Sequence, residues 1–480
     1  MTTQYRWRSG LAVMLGATLS AVSFAQPADV TTWKNAQSRS GANTKETVLA
    51  PANVNVTTFG KLFQATVDGD VDAQPLVVTG VAIAGGIHSV VYAATEHDTI
   101  YALDANNGSV YAQVSLIPSG GSTVRTGNAP ETGIMGTPVI DPANNTLYAV
   151  ATSKVNGTIV QYLHALDIAT LAEKTNSPVA ITARVTAIAG HSSNTGVTFD
   201  PATEQQRPGL LLEQGHIVIS WTPHCAQGRC HGWAMSYDAS SLKQDGAQML
   251  TRVGQAADAI NAPVVWNGMF YAYPHLTGVA AYVASSRSLN PTSRADSIAT
   301  DPTTFSFVAG NPALSAGAHH PDWGIINPPV PGARADNPDF GGLNPVPGED
   351  ADDPTDPTVF GFVVRRLVLS PSALVSQTNV RMGTLSSQDV GSLSANGTTH
   401  GIYWLMHSGT LYAFDATDLS TELWDSDQDS GRDRPGSSAG FSTPTIANGM
   451  VYIGTSGTST PGQEQALVGY GLLNMPRNQE

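Results

Sequence analysis

A short phrase of β-forming residues that ends in aspartate recurs along the chain. It reads Tyr-Ala-Leu-Asp at 101–104, and altered copies end at Asp167, Asp238 and Asp415. Turn-forming residues follow each aspartate, which is typical of a strand that leads into a tight turn. A unit this small cannot bury both of its faces alone, so the copies must stack against each other. The sequence therefore predicts an all-β repeat protein.

Prolines mark the beginnings of five of the six predicted repeats. Proline is tolerated at the first residue of a strand, so a proline at a nearly constant distance before the aspartate indicates where an inner strand starts. Repeat starts are predicted at Pro75, Pro138, Pro208, Pro263, Gly391 and Pro444. The sixth repeat ends one strand short, near Leu472. We predict that the isolated strand-like stretch 59–67 supplies the missing strand and closes a ring, which removes exposed sheet edges.

The fourth repeat is interrupted by a stretch rich in proline and aspartate, at about 277–357. Either a long insertion splits this repeat, or the stretch hides a degenerate seventh repeat. Because long loops within compact domains are usually functional or disordered, we interpret it as a lid-like insertion over one mouth of the ring. The predicted domain is then 59–480.

The first residues are typical of a secretory signal peptide. Arg6 and Arg8 precede an apolar run, and Ser23-Phe24-Ala25 is a small-residue cleavage site. The apolar run is too short to span a bilayer, so we expect no membrane insertion. We expect cleavage after Ala25, a periplasmic or extracellular protein, and an irregular N-terminal arm at 26–58.

The charge balance limits the classes of partner. A formal net charge of -15 argues against nucleic acid and against an anionic membrane surface. With 47 glycines, 30 prolines and 13% charged residues, the composition suits a turn-rich β protein. We expect a small-molecule or carbohydrate substrate, and the oligomeric state is left open.

Two repeats carry a family resemblance. Tyr101-Ala-Leu-Asp104 with Gly108, and Tyr412-Ala-Phe-Asp415 with Trp424, resemble the repeats of β-propellers with pyrroloquinoline-quinone-like repeats, in the quinoprotein alcohol dehydrogenase-like superfamily. Similar phrases in secreted bacterial members correspond to Ser40-Gly-Ala-Asn43, Glu131-Thr-Gly-Ile134, Gln206-Arg-Pro-Gly209 and His231-Gly-Trp233. The resemblance implies a β-propeller of six or seven four-stranded blades and an oxidoreductase-like activity.

The cofactor implied by this resemblance is pyrroloquinoline quinone with calcium, beside a vicinal disulfide. The sequence contains no Cys-Cys pair, so we treat a transition metal as the stronger hypothesis. The two cysteines, Cys225 and Cys230, are predicted to form a disulfide in a hairpin tip of an exported protein. Because His231 follows Cys230, a variant c-type haem attachment site is the alternative.

Histidines occupy comparable hairpins in four repeats. If His97, His231, His275 and His407 face one mouth, their imidazoles meet near the ring axis and can bind iron, copper or zinc. The alternative is that they cap turns or bond neighbouring blades. The candidate catalytic residues are Asp98, beside His97, and Glu131 and Arg207, within the phrases above.

The sequence therefore favours a secreted oxidoreductase-like propeller with a histidine-bearing active centre at one mouth. A non-catalytic propeller that binds carbohydrate or protein is the first alternative. A metal-dependent polysaccharide lyase or hydrolase is the second.

Overall fold

The structure is a computed structural model. It describes residues 28–37, 39–125, 131–185, 196–223, 233–249, 391–438, 442–457 and 464–474, and between 264 and 379 only the backbones of the strands given below. None of the helices in this part of the chain has the length and apolarity that a membrane span requires.

Seven sheets of four antiparallel strands in up-and-down order lie within these residues, and we number them blades 1 to 7 along the chain. Blades 1 to 3 consist of Leu76–Ile83, Gly86–Ala94, Thr99–Asp104 and Val110–Ser115; Val139–Asp141, Thr146–Val155, Thr158–Asp167 and Val179–Ala180; and Leu211–Glu213, His216–Pro223, Trp233–Asp238 and Gln244–Met249. Blades 4 and 5 consist of Val264–Trp266, Met269–Ala272, Ala280–Val283 and Pro291–Arg294; and His319–His320, Ile325–Ile326, Arg365–Leu369 and Leu374–Asn379. Blades 6 and 7 consist of Ser392–Asn396, Thr399–His407, Thr410–Asp415 and Glu422–Asp425; and Thr445–Ala447, Met450–Ser456, Ala466–Leu472 and Phe59–Thr66.

Smaller elements join or connect the blades. Blades 2, 3, 6 and 7 gain the short strands Gly121–Thr123, Glu204–Gln205, Ala42–Asn43 and Ser437–Ser438. Arg184–Val185 pairs with Val197–Thr198. Among the described residues, the helical segments are the 3-10 turn Trp33–Asn35 and the α-helical turn Ser430–Asp433.

The predicted repeat register is confirmed. The four aspartates of the recurring phrase end the third strands of blades 1, 2, 3 and 6. Each side chain accepts a hydrogen bond from the backbone N–H two residues later, which makes the turn that the sequence predicted. In blades 1, 2, 4 and 7 the inner strand begins directly after the predicted proline.

The closing strand is also confirmed. Phe59–Thr66 pairs with Ala466–Leu472, with Phe59 opposite Leu472 and Thr66 opposite Ala466. The Phe59 ring is fully buried against Trp404 and Trp424 of blade 6. A strand from near the start of the chain therefore forms the outer edge of the last blade.

The stretch that we interpreted as an insertion at 277–357 contains strands. Ala280–Val283 and Pro291–Arg294 complete blade 4, and His319–His320 begins the sheet of blade 5. The strand pairing agrees with the alternative of a degenerate repeat, and the lid-like insertion stays a prediction. The first two strands of blade 5 are only two residues each, so they are too short to show a period-2 pattern.

Buried tyrosines connect successive blades. In the second strand of blade 1, the Tyr92 hydroxyl donates to the carbonyl of Ile168 in blade 2 at 2.8 Å. Tyr148 of blade 2 donates in the same way to Ala239 of blade 3, and Tyr452 of blade 7 to Ala105 of blade 1. Each acceptor directly follows a third-strand aspartate. The bond from Tyr452 places blade 7 beside blade 1.

The N-terminal arm lies inside the ring. Val30 pairs with Val77 in the inner strand of blade 1, and the carbonyl of Thr31 accepts a hydrogen bond from Ile140 of blade 2. Ala42–Asn43 runs parallel to the inner strand of blade 6. Because inner strands line the axis of a propeller, the arm lies on the axis side of blades 1, 2 and 6. The polar sequence that we interpreted as an irregular arm is thus paired with the blades.

Candidate active site

Four chain segments meet at one end of the ring, which we call the mouth. They are the hairpin 95–98 of blade 1 and the segments 70–74, 131–137 and 206–210, which lead into the inner strands of blades 1, 2 and 3. The backbone N–H of Glu96 donates to Asp70, and that of Ile134 donates to Thr95. These bonds hold the hairpin between its neighbours.

His97 and Glu131 form a hydrogen-bonded pair at the mouth. The His97 Nδ1 and Glu131 Oε2 atoms are 2.6 Å apart, and the Thr123 hydroxyl donates to Glu131 Oε1 at 2.9 Å. The His97 side chain is 39% exposed. Within the described residues, its Nε2 atom has no hydrogen-bond partner. A carboxylate on Nδ1 fixes the tautomer and leaves Nε2 as a base directed away from that carboxylate.

Two other histidines lie beside a carboxylate that accepts a hydrogen bond from a hydroxyl. His164 Nδ1 is hydrogen-bonded to Glu173, which also accepts from Ser177. His216 Nδ1 lies 2.7 Å from Asp245, an ion-pair contact without hydrogen-bond geometry, and Asp245 accepts from Ser236. The His164 side chain is 3% exposed, as expected for a histidine packed in the core. His216 starts the second strand of blade 3, at the end of the ring opposite the mouth. His97 therefore differs from His164 and His216 in its position at the mouth, and a neighbouring carboxylate does not by itself identify the candidate site.

Asp98 lies behind His97 and is completely buried. Its carboxylate accepts hydrogen bonds from the Thr152 N–H at 3.2 Å and from the Ser153 hydroxyl at 2.8 Å, both in blade 2. Burial raises the pKa of Asp98 to about 7 despite these bonds. The structure thus places this predicted catalytic residue where it fastens the hairpin to blade 2.

Gly133 allows this close approach of hairpin and connection. A Cβ atom at this position would lie 2.3 Å from the Glu96 carbonyl oxygen and 2.8 Å from the Asp98 nitrogen. Any side chain would push Glu131 and the hairpin apart. The Glu131-Thr-Gly-Ile134 phrase therefore serves to bring Glu131 to His97.

Arg207 is brought together with two buried acids. Glu96 donates a hydrogen bond to Asp72, and burial, Asp72 and Asp70 together raise the pKa of Glu96 to about 10, while Arg207 opposes the rise. Burial lowers the pKa of Arg207, and Asp72 and Glu96 oppose this. A protonated Glu96 beside an ionised Asp72 is the arrangement that two close carboxyls adopt when only one can ionise. Neither Glu96 nor Asp72 was singled out from the sequence.

A prediction on pH follows from Glu96. Its pKa of about 10 in the folded protein lies above the usual carboxyl value of 4.5, so the stability that its proton supports is lost as pH rises from about 4.5 towards 10. Glu96→Gln keeps a hydrogen-bond donor to Asp72 and removes this loss. The free energy of unfolding of the variant, relative to that of the wild type, should therefore rise by up to about 1.4 kcal/mol per pH unit.

Urea unfolding of both proteins at pH 5.5, 7.0 and 8.5 checks this expectation. Asp98 titrates in both proteins and cancels in the difference. A difference in unfolding free energy that is constant with pH would contradict a protonated Glu96.

The predicted four-histidine metal site remains a prediction. His231 and His275, like Cys225 and Cys230, lie outside the described residues. His407 ends the second strand of blade 6, with its Nε2 3.3 Å from the Ser408 hydroxyl. Among the described residues, no three histidine, cysteine, aspartate or glutamate side chains come together as they do around a metal ion.

The described mouth residues do not fit a calcium ion. Calcium needs six to eight oxygen ligands, usually with ionised carboxylates among them. Within the part of the chain that the structure describes, Asp72 and Glu96 lie together without a third carboxylate, histidine or cysteine close enough to complete a metal site. We therefore derive no step through a quinone–calcium centre.

Comparison with known proteins supports the fold. No family model matches the sequence, and no curated protein matches it. A quinohemoprotein alcohol dehydrogenase from Pseudomonas putida HK5 is similar over 95% of this chain and 82% of its own, with a TM-score of 0.52 and 13% identity. The corresponding enzyme from Comamonas testosteroni covers 96% of this chain and 83% of its own, with a TM-score of 0.45 and 11% identity. BamB from Moraxella catarrhalis covers 86% and 95%, with a TM-score of 0.33 and 12% identity.

At sequence identities this low, structural similarity is evidence about the fold alone. Of the three proteins, the enzyme from Pseudomonas putida HK5 is the one similar enough to support the fold assignment. Four-stranded up-and-down sheets, a last blade completed by an N-terminal strand, and this similarity lead to one conclusion: the chain is an all-β propeller.

Proposed function

We propose that the protein is an oxidoreductase-like enzyme whose active centre lies at the mouth, with His97 as the acid–base residue. The observation that carries the proposal is the His97–Glu131 pair, 2.6 Å apart, with a partly exposed imidazole. Oxidation of an alcohol needs a base that removes the hydroxyl proton. A histidine oriented by a carboxylate is the group most often used for such a transfer.

Each residue of the site has a role in this proposal. His97 Nε2 accepts the substrate proton, while Glu131 stabilises the imidazolium that forms, because its carboxylate bonds Nδ1. Asp98 and Gly133 keep the hairpin in place against blade 2. The Asp72–Glu96–Arg207 cluster offers a guanidinium that can donate to a substrate oxygen. The hydride of the alcohol carbon passes to a bound two-electron acceptor, whose place the redox dye takes in the assay, so that the alcohol becomes a carbonyl compound as the acceptor is reduced.

A dye-linked assay tests the proposal. The purified protein is incubated with primary alcohols, polyols and aldoses and a two-electron dye, with and without added pyrroloquinoline quinone and calcium. Metal content is measured on protein that has been purified without chelators. We expect substrate-dependent dye reduction that depends on His97. Saturable carbohydrate binding without any turnover would support the alternative of a non-catalytic binding propeller.

A transition metal at the mouth is an alternative form of this proposal, in which His97 Nε2 binds the metal and does not act as the base. His97 Nε2 is available as one ligand, and His231, His275 and His407 are the other predicted ligands. Iron, copper or zinc in about equimolar amount, lost together when His97 is replaced by alanine, would support it. Metal-free protein with full activity would refute it.

Export and a disulfide belong to the same proposal. We propose that the chain is cleaved after Ala25 and acts in the periplasm or outside the cell, where a Cys225–Cys230 bridge is stable. The mass of the mature protein tests the cleavage. Titration of the unreduced, denatured protein should find no free thiol, and two free thiols would exclude the bridge.

A further inference from the structure

Lys34 ties the N-terminal arm to the blade 1 segment that carries Asp72. Its backbone N–H donates to the Gln74 side-chain oxygen at 2.8 Å. The Gln74 side chain also donates to the Thr445 hydroxyl of blade 7, and the Gln74 N–H donates to Thr137 at the start of blade 2. All these groups are buried. Gln74 thus joins the arm to three blades, two residues after Asp72.

The Lys34 side chain reaches in another direction. Its side-chain amine donates to the carbonyl of Gly391, which precedes the inner strand of blade 6. The whole residue is buried. The turn at Trp33–Asn35 therefore has hydrogen bonds both to blade 1 and to blade 6.

Arg39 ties the same arm to the blade 3 segment that carries Arg207. Its guanidinium donates to the Leu210 carbonyl at 2.9 Å, and to the Thr32 hydroxyl and the Trp33 carbonyl. Trp33 packs so closely on this segment that a Cβ atom at Gly209 would lie 2.6 Å from the Cβ of Trp33. Burial lowers the pKa of Arg39 to about 9, so it stays charged at neutral pH.

Two mouth segments from different blades are thus fixed by one strap from the N-terminus. Asp72 lies two residues before Gln74, and Arg207 three residues before Leu210. We propose that the arm, through Lys34 and Arg39, is the positioning element that holds Asp72 and Arg207 together beneath the proposed active centre. This positioning role rests on the proposed function, because Asp72 and Arg207 belong to the proposed active centre. Its test does not require catalytic activity.

The physical reason is that removal of the Arg39 side chain would leave buried backbone carbonyls without this hydrogen-bond donor. Without the Arg39 guanidinium, the buried carbonyls of Leu210 and Trp33 lose a charged donor, and such a loss favours local opening. Opening at Leu210 frees the segment that leads back to Arg207. The neighbouring blades keep their own ladders, so the effect should stay local.

Asn43 offers a matched control in the same arm. Its side-chain amide is buried and donates to the carbonyls of Ala28 and Ile446. Ile446 belongs to the inner strand of blade 7, next to the turn at Asn448–Gly449 at the end away from the mouth. Asn43→Ala therefore loosens the arm without touching the segments 70–74 and 206–210.

Hydrogen exchange followed by mass spectrometry on the full mature protein tests the inference. In Arg39→Ala, peptides that cover 70–74 and 206–210 should exchange at least about tenfold faster, while the outer strand Val110–Ser115 keeps its rate. Asn43→Ala should speed exchange near 446–449 and leave both mouth segments unchanged. Arg39→Lys, which keeps a charge but lacks the forked guanidinium, should lie between wild type and Arg39→Ala.

The inference is overturned if both variants open the same segments, or if Arg39→Ala leaves the mouth segments protected. A uniform rise of exchange over all blades would also overturn it, because Arg39 would then support the fold as a whole. None of these readings depends on turnover. If the protein is inactive in the dye-linked assay but Arg39→Ala still opens the two mouth segments, the proposed function is refuted and the positioning role of the arm is supported.

Discussion

Replacing His97 with alanine should lower kcat/KM for the alcohol substrate by about 10²- to 10⁴-fold, the usual contribution of a general acid–base residue. The imidazole is expected to take the substrate proton, and the alanine methyl group cannot do so. The variant also leaves Glu131 without its imidazole partner. Dye-linked initial rates for wild type and variant measure the effect. Glu131→Gln should give a smaller loss, because an amide oxygen still accepts from Nδ1 but does not stabilise an imidazolium.

His216→Ala is the matched control. This histidine also lies beside a carboxylate that accepts from a hydroxyl, in Asp245 and Ser236, but it lies at the opposite end of the ring. Its replacement should change kcat/KM by less than about twofold, since it contributes no general acid–base catalysis. Equal losses in His97→Ala and His216→Ala would mean that the loss reflects folding, and the mouth would not be the active centre.

Replacing Phe59 with alanine should lower the free energy of unfolding by about 3–5 kcal/mol, the usual loss for a buried phenylalanine. The ring is fully buried, with centroids 5.3 Å from Trp404 and 4.9 Å from Trp424. It also stacks on Tyr470 of the neighbouring strand. The cavity would open where the N-terminal strand holds the last blade against blade 6, so the loss should include part of the ring closure.

Urea unfolding followed by tryptophan fluorescence measures this loss. Val56→Ala serves as a control, because Val56 is 37% exposed and precedes the same strand. It should change the free energy of unfolding by no more than about 0.5 kcal/mol. A loss for Phe59→Ala as small as that of the control would mean that the closing strand contributes little to the stability of the ring.

Local patterns were enough for the repeats and for their closure. A third strand that ends in aspartate, such as Thr99–Asp104, forms its turn with residues next to it in sequence. The closing strand was predictable because the last repeat ended one strand short, and a lone strand such as Phe59–Thr66 preceded the first. Both inferences needed only short-range chemistry and a count of strands.

The number of blades depended on pairing that local patterns do not carry. His319–His320 and Ile325–Ile326 are too short to show alternation, and they become strands through their pairing with one another and with Arg365–Leu369. The role of the arm at 28–49, which contains few apolar residues, could not be read from the sequence for a similar reason. Its polar groups pair with the inner strands of several blades, a role that exists only in the closed ring.

The candidate site divides in the same way. Sequence alone determined that His97, Asp98 and Glu131 lie on turns that open to one end of the ring. Tertiary structure decided their roles: Glu131 bonds His97 across 34 residues of sequence, while Asp98 turns into blade 2. It also brought Arg207 to Asp72 and Glu96. Sequence sets each side chain's chemistry, but burial and the partners that shift a pKa arise only when distant segments pack together.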